Sequence, residues 1–517
     1  MNRRKILIVV GTALAAALLS VGLVSVVHHY QLRLAVEKYI SELKAKGEPM
    51  ELAEVIPPRL PPDKNSASEF LIAASFFATN DNILTTNWPI GMRGVTPGKA
   101  QVLWRQNFIR DGGLTNSWED LSLALETNKD AFNRLLAITN SSRFDFGLQY
   151  EQRFEMRITN LVVEKKTVQK LAAKTYNDLH LGQTGPAAEN IRAMLVLVEG
   201  TSDERTAISQ LVRIAIAQIA CTATWEFLQS SNPTDGQLAE LQVDWGRPEF
   251  IRAMVNVLPL EREGAETTIR KWRRSFKEMQ RYAEISKSVS EALGHFPEEE
   301  SAFEKADKFR KFFLWRYWWS YPDELRYLKG HQVLTDTMRL IETNGIFWDA
   351  LASQDAELGR LGILELASSL DSIFTGKTDY HNMLSQSVVT LSGLSRKVMR
   401  IETARQMVKT AIALKRYQLK HGGYPEKLYE LVSEFFPAVP FDPVDGQPLR
   451  YRRNADGTFL LYSVGENGKD DGGNPSLEKG VGSPSLQWQD RHALDWVWPQ
   501  PASAEEIQAY CAKQAKN

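Results

Sequence analysis

This sequence has little of what most catalytic and cofactor sites are built from. Of its 517 residues two are cysteine, Cys221 and Cys511. They lie far apart, one in an apolar helical run and one near a polar tail, which excludes a cysteine-based zinc site and leaves at most one disulfide. The eight histidines are scattered, and His28 and His29 are the only adjacent pair. None of His180, His295, His331, His381, His421 or His492 has a partner at metal-ligand spacing. HExxH, G-x-S-x-G, a phosphate loop and G-x-G-x-x-G are all absent. Charge of one sign is missing as well, with 62 basic residues against 63 acidic and a net charge of -1. That excludes a general nucleic-acid binder, which carries a basic excess, and an acidic disordered chain.

What is present begins with Ile6 to Val27, an uncharged run preceded by Arg3, Arg4 and Lys5. A run of this length spans a hydrocarbon core of about 30 Å, and the basic residues in front predict a cytoplasmic N-terminus with the bulk exported. The run is longer than the apolar part of a signal peptide. His28-His29-Tyr30 follows where small residues would mark cleavage, so an uncleaved signal anchor is favoured over a cleaved leader. This predicts a single-pass inner-membrane protein, with residues 1–30 as tip and anchor. Residues 31–64 read as a charged helix followed by a stalk stiffened by Pro57, Pro58, Pro61 and Pro62. Ser66 and Glu69 stand at capping-box spacing for the next helix.

From residue 65 to about 395 alternating strand patterns are almost lacking. Helical runs recur at Trp118–Thr139, Thr159–Leu179, Pro186–Glu199, Glu204–Leu228, Asp235–Gln242, Glu249–Leu258, Glu263–Ser286 and Tyr327–Trp348. Their lengths and short gaps predict a large all-α domain of antiparallel helix pairs, in a bundle or an irregular solenoid without a fixed repeat. Phe309 to Trp319 mixes aromatic with basic residues and admits two readings. It is a core helix with Arg310, Lys311 and Arg316 snorkelling outward, or a membrane-interface or polyanion- and glycan-binding segment. Glu261 and Glu263, and Glu298 to Glu300, are carboxylate clusters that could serve glycoside hydrolysis or simply form a solvated face.

The most patterned stretch is 396–500, followed by a polar tail at 501–517. Ile401, Ala404, Val408 and Ile412 repeat at helical spacing, and Gly422-Gly423 ends that helix. A short helix is expected after Pro425. Two strands, Leu449–Arg453 and Thr458–Val464, are joined by Asn454-Ala455-Asp456-Gly457, a hairpin signal. A loop rich in Gly and Asp follows.

Tyr417 to Pro425, the cluster Asp442-Pro443, Asp445-Gly446, Pro448-Leu449 and Tyr451, and Leu461 to Gly465 with Asn467-Gly468 occur in this order. Together they resemble the globular part of the calcium-binding major pseudopilin of type II secretion, over roughly a fifth of the chain. The chain as a whole is also similar to membrane-anchored proteins of Planctomycetes and Verrucomicrobia that end in such a module. The pseudopilin resemblance implies a small α+β module and a structural calcium ion held by loop carbonyls and a closing aspartate beside a tryptophan. Asp470, Asp471, Asp490 and Asp495 are the candidate metal residues, with Asp495-Trp496 at the closing position. The glycine–aromatic–glutamate start of a prepilin is missing, so the resemblance does not extend to processing and polymerisation. No catalytic or cofactor-binding residue is expected. The leading expectation is a membrane-anchored envelope interaction or structural protein with a protein partner, accessory to a type II secretion or pilus-like system. The alternatives are a periplasmic hydrolase of envelope polymer, or a glycan- or solute-binding sensor.

Overall fold

The computed structural model describes residues 3–78, 82–85, 87–111, 114–138, 143–281, 309–364, 382–478 and 488–514. The fold is mainly α-helical with small sheets. Nine of the helices, named in chain order, are α1 (Arg3–Ala45), α2 (Trp118–Thr127), α3 (Lys129–Ile138), α4 (Asn160–His180), α5 (Thr184–Gly200), α6 (Ala207–Leu228), α7 (Phe250–Arg274), α8 (Ser320–Asn344) and α9 (Gln386–His421). The chain falls into two compact units. One is formed by Met1–Ile56, Leu258–Thr337 and Ala352–Gly393, the other by Pro57–Val257, Met338–Leu351 and Leu394–Asn517.

In the first unit α1 is continuous through the apolar run and beyond it. Leu19, Leu23, Val24, Val26 and Val27 stand exposed along it, Leu19 by 75%. Past Tyr30 the same helix turns inward, and Val36 and Leu43 are buried. Glu48 is then fixed by Arg262 at 3.1 Å and by Gln332 at 3.0 Å, which also bonds to Arg262. Such a buried, hydrogen-bonded ion pair sets register more than it adds stability. Beside the end of the apolar run lies the aromatic segment, a π-helical turn at Trp315–Trp319. The segment presents both buried and exposed rings. Phe312 and Trp315 are buried, whereas Phe309, Phe313, Tyr317 and Trp318 are exposed. The ring of His28 sits 5.9 Å from Trp318, and that of His29 lies 5.6 Å from Tyr317 and 5.0 Å from Tyr321.

The second unit is centred on α4, α5 and α6, which pack on one another. Val168, Leu171, Tyr176, Ile191, Ile216, Ala217 and Trp225 are fully buried among them. Among the described residues α6 is the helix long and apolar enough to cross a membrane by those measures, but 67% of its apolar window is buried. It is the core helix of this unit. Strands β1 (Arg93–Thr96) and β2 (Lys99–Gln101) form an antiparallel hairpin, and β3 (Ile109–Asp111) pairs with β4 (Leu114–Asn116). The C-terminal part carries β5 (Arg450–Arg453), β6 (Phe459–Ser463) and β7 (Trp496–Val497) in one antiparallel sheet. β8 (Gln500–Pro501) instead joins β2 in parallel.

Three local expectations need correction. The run Trp118–Thr139 is two helices, because the Asn128 side chain donates back to Ala124 O and accepts from Ala78 N–H between α2 and α3. Glu249–Leu258 and the start of Glu263–Ser286 are one helix, since α7 runs through Pro259. Ser66 makes no side-chain cap; Asn65 Oδ1 accepts the Ala67 N–H at 3.1 Å in its place.

Candidate functional site

The C-terminal loop owes its shape to two carboxylates and one arginine. Gly422, at φ +77°, ends α9 and returns its N–H to Gln418 O. A 3-10 turn at Leu428–Leu431 follows. The segment Asp442-Pro443-Val444-Asp445-Gly446 then seats on residues 346–348. Phe347 N–H donates to Pro443 O, and Trp348 N–H donates to Val444 O at 2.8 Å. A Cβ on Gly446 (φ +75°) would meet Ile346 at 2.6 Å. Asp442, fully buried, accepts the Val444 and Val464 N–H groups at 3.0 Å, the Ser463 hydroxyl at 2.9 Å and Arg450 Nη1 at 3.2 Å. All its lone-pair directions are answered, as burial of a charge requires.

Each of the four candidate metal residues has an assigned task here. Asp495 is fully buried. It accepts the Asp471 N–H at 3.3 Å and the Gly473 and Asn474 N–H groups at 2.9 Å, so it does close the loop onto the sheet. Burial pushes its pKa up while those three donors pull it down. Asp470 accepts from Tyr462 Oη and the Gly472 N–H at 3.0 Å and from Arg450 Nε at 3.4 Å. Asp471 accepts from Asn467 Nδ2. Asp490 caps a turn through the His492 N–H, and its carbonyl receives the Trp496 indole N–H at 2.9 Å.

Among the described residues no three Asp, Glu, His or Cys side chains converge as a metal site. Where Asp442, Asp445 and Asp470 do approach one another, the guanidinium of Arg450 stands between them. It lies 2.5 to 3.4 Å from their oxygens, and its own pKa is raised, Asp445 being the main cause. Arg450 thus stands where these three carboxylates meet, and the backbone N–H groups of Asp471, Gly473 and Asn474 face Asp495. Asp442 and Arg450 were not among the sequence candidates, although Asp-Pro followed by Asp-Gly marks the turn that buries Asp442.

A second feature of this unit is a cavity of about 540 Å³. It lies against α6, whose polar Gln218 and Thr222, one turn apart, line it together with Cys221. The hairpin of β1 and β2 forms another wall, with Arg400, Ala404, Trp488, Val497, Pro499 and Tyr510 among the other lining residues. Two side chains of α6 hold these walls. Trp225 Nε1 donates to Pro499 O at 2.9 Å. Glu226, fully buried, accepts the Met92 N–H at 2.7 Å and the Leu103 N–H at 3.1 Å. That hold keeps Met92 at φ +48°, a left-handed conformation a residue with a side chain seldom adopts. Burial pushes Glu226 up to about 7 against the pull of its donors.

Cys221 is a free thiol pushed up to about 12 by burial, which makes it inert rather than nucleophilic. Among the described residues no histidine and no carboxylate lines the cavity. Elsewhere Glu263 is buried on α7, where Thr267 donates to it, and His331 is buried and pushed down to about 3 by desolvation and then by Arg262. Glu298 to Glu300 lie outside the described residues. No known protein family, curated protein or solved structure matches the chain.

Proposed function

We propose that the protein is a single-pass inner-membrane protein, N-terminus in the cytoplasm and bulk in the periplasm, that works as an envelope interaction or structural protein. The observation that carries this reading is the collar at the end of the apolar run. Exposed Leu19, Leu23, Val24, Val26 and Val27 are followed at once by His28 and His29, and these rings contact Tyr317, Trp318 and Tyr321. Apolar residues followed by a ring of Trp and Tyr match the order of hydrocarbon and headgroup layers. The pseudopilin-like order of motifs in 396–500 supports a role beside a type II secretion or pilus-like system, by resemblance alone. Protein, not nucleic acid, is the partner that the balanced charge favours.

The test is fractionation of cells carrying the full chain, with periplasmic and cytoplasmic reporters fused to its C-terminus, followed by crosslinking in intact cells. Retention in the membrane after a carbonate wash, a periplasmic reporter signal and a discrete crosslinked envelope protein support the reading. A soluble full chain, or an active cytoplasmic reporter, overturns it.

The calcium expectation rests on the resemblance and is tested separately. Calcium added to the full chain at millimolar concentration raises the melting temperature if the folded loop binds it. Loss of that rise in Asp471→Asn and Asp495→Asn would support a structural ion. An unchanged melting temperature with and without chelator would leave loop closure to Asp495 and Arg450. The solute-binding alternative is favoured by one observation, the cavity beside α6.

A further inference from the structure

We propose that the start of α4 and the connection between α5 and α6 form a binding site for one oxygen-preferring divalent cation, of the calcium, magnesium or manganese class. Asn160, Glu164 and Glu204 are its ligands. The site lies within the second unit and is separate from the C-terminal loop, and it rests neither on membrane anchoring nor on the pseudopilin resemblance.

Helix geometry and capping place the ligands. Asn160 and Glu164 are four residues apart at the start of α4, so both fall on one face. Glu204 comes from the connection that leads into α6, where Thr206 caps the helix by accepting the Ser209 N–H at 3.1 Å. Gln210 Nε2 donates to Glu204 O at 2.7 Å and fixes this connection. Asn160 Nδ2 then joins the two carboxylates, donating to one oxygen of Glu164 at 2.8 Å and to one of Glu204 at 2.7 Å. Because both carboxylates touch one nitrogen, their second oxygens and Asn160 Oδ1 are gathered close around it.

Those three oxygens carry the inference. Asn160 Oδ1, Glu164 Oε2 and Glu204 Oε2 are buried and accept no hydrogen bond among the described residues. The residues themselves are exposed by 4%, 1% and 6%. Unmet oxygens at such a point are costly, and two of them belong to carboxyl groups. The charges that act on the pair are acidic, Glu204 on Glu164 and Asp145 on Glu204. Asp145 is itself paired with Arg59 at 2.9 Å. Tyr150, buried nearby, takes the Arg205 N–H at 3.4 Å, and the Ser209 hydroxyl donates to Glu204.

Two carboxylates and an amide oxygen are hard ligands, which suit calcium, magnesium or manganese. One such ion carries the charge of two protons, so it takes the place of protons on Glu164 and Glu204 and releases them on binding. Thr159 and Asp203, next to the ligands in sequence, are exposed, which gives the site a short way in from solvent at one end of the helices.

The experiment uses the purified full chain in lipid nanodiscs, stripped with chelator and held in neutral buffer. Manganese binding is read from loss of the free-ion spin resonance signal. Calcium and magnesium are titrated by calorimetry in two buffers of different ionisation heat, which counts the protons released. The expected result is manganese bound at this site, displaced by calcium or magnesium, with about one to two protons released per ion and a raised melting temperature. Glu164→Gln and Glu204→Gln should each weaken binding by more than about a hundredfold, since residues that only support a metal's ligands already cost about 10- to 100-fold. Both keep the shape of a protonated glutamate, and a melting temperature matching the wild type in acidic buffer checks that they fold. Proton release by the wild type tests the proposal without any variant, and binding with no proton released overturns it. Binding kept in both glutamine variants also overturns it, and loss in Asp471→Asn instead gives the ion to the C-terminal loop. Absence of binding by all three cations at millimolar concentration overturns it and leaves the pair to protons alone.

Discussion

Glu164 and Glu204 illustrate how much of this protein's behaviour is decided by single buried groups. Both accept a hydrogen bond from Asn160 Nδ2, at 2.8 and 2.7 Å, inside the helical core of the second unit. Burial, reinforced for Glu164 by the neighbouring Glu204 charge, pushes them up to about 8 and about 7. The folded chain therefore holds protons that the unfolded chain, titrating near the ordinary carboxylate value of about 4.3, has released. Stability from this pair is complete below that value and is lost as pH rises through about 7 to 8. The melting temperature should fall between mildly acidic and mildly alkaline buffer. Glu164→Gln should flatten that fall by several degrees, on the basis of roughly 2–4 °C per kcal/mol. A parallel slope in mutant and wild type would remove the pair from the account. Glu226→Ala should cost about 1–3 kcal/mol, the range for leaving buried donors unmet, because it strands the Met92 and Leu103 N–H groups. Denaturant midpoints measure it. None of these pairings was visible in the sequence, where a glutamate on a helix reads as solvated unless its partners, here from 4 to 134 residues away, are known.

At the scale of elements the sequence was most legible where one local signal sets the outcome. The glycine stop of α9 and the hairpin of β5 and β6 around Gly457 both appear where the turn residues put them. It was least legible where tertiary contact overrides local preference. α7 passes Pro259 because Val257, Leu258 and Leu260 on either side are buried, and their burial offsets a missing N–H. β1 and β2 are only three or four residues long, and the strand that completes their sheet, β8, lies some four hundred positions away. The loop before β7 has a requirement of its own. Gly473 sits at φ +79°, and a Cβ there would meet Leu460 at 2.7 Å. Gly473→Val should therefore destabilise by more than about 1 kcal/mol through strain at a positive φ, measured by thermal melting. α1 carries the element-scale functional prediction: deleting residues 1–30 should move the protein from the membrane to the soluble fraction, read by immunoblot after carbonate extraction.

For the whole molecule, the membership of the second unit has a direct consequence. Residues from Leu394 onward cluster with Pro57–Val257, tied by Trp225 to Pro499 and by the parallel pairing of β2 with β8. Truncation before Leu394 should remove hydrogen-exchange protection from α4 to α6, not only from the deleted part, because their packing surface and these bonds go with it. Undiminished protection would show that the helical core stands alone. The sequence by itself determined the apolar run, the spacing of the helices and the hairpin, since each depends on residues within a few turns of one another. Only the tertiary structure decided that Arg450, not a set of converging acids, stands among Asp442, Asp445 and Asp470. It alone decided that the hairpin near residue 95, α6, Arg400 and Trp488 line one cavity. The reason is physical: ion pairing and the lining of a cavity are properties of side chains brought together from distant parts of the chain, and no local period encodes them.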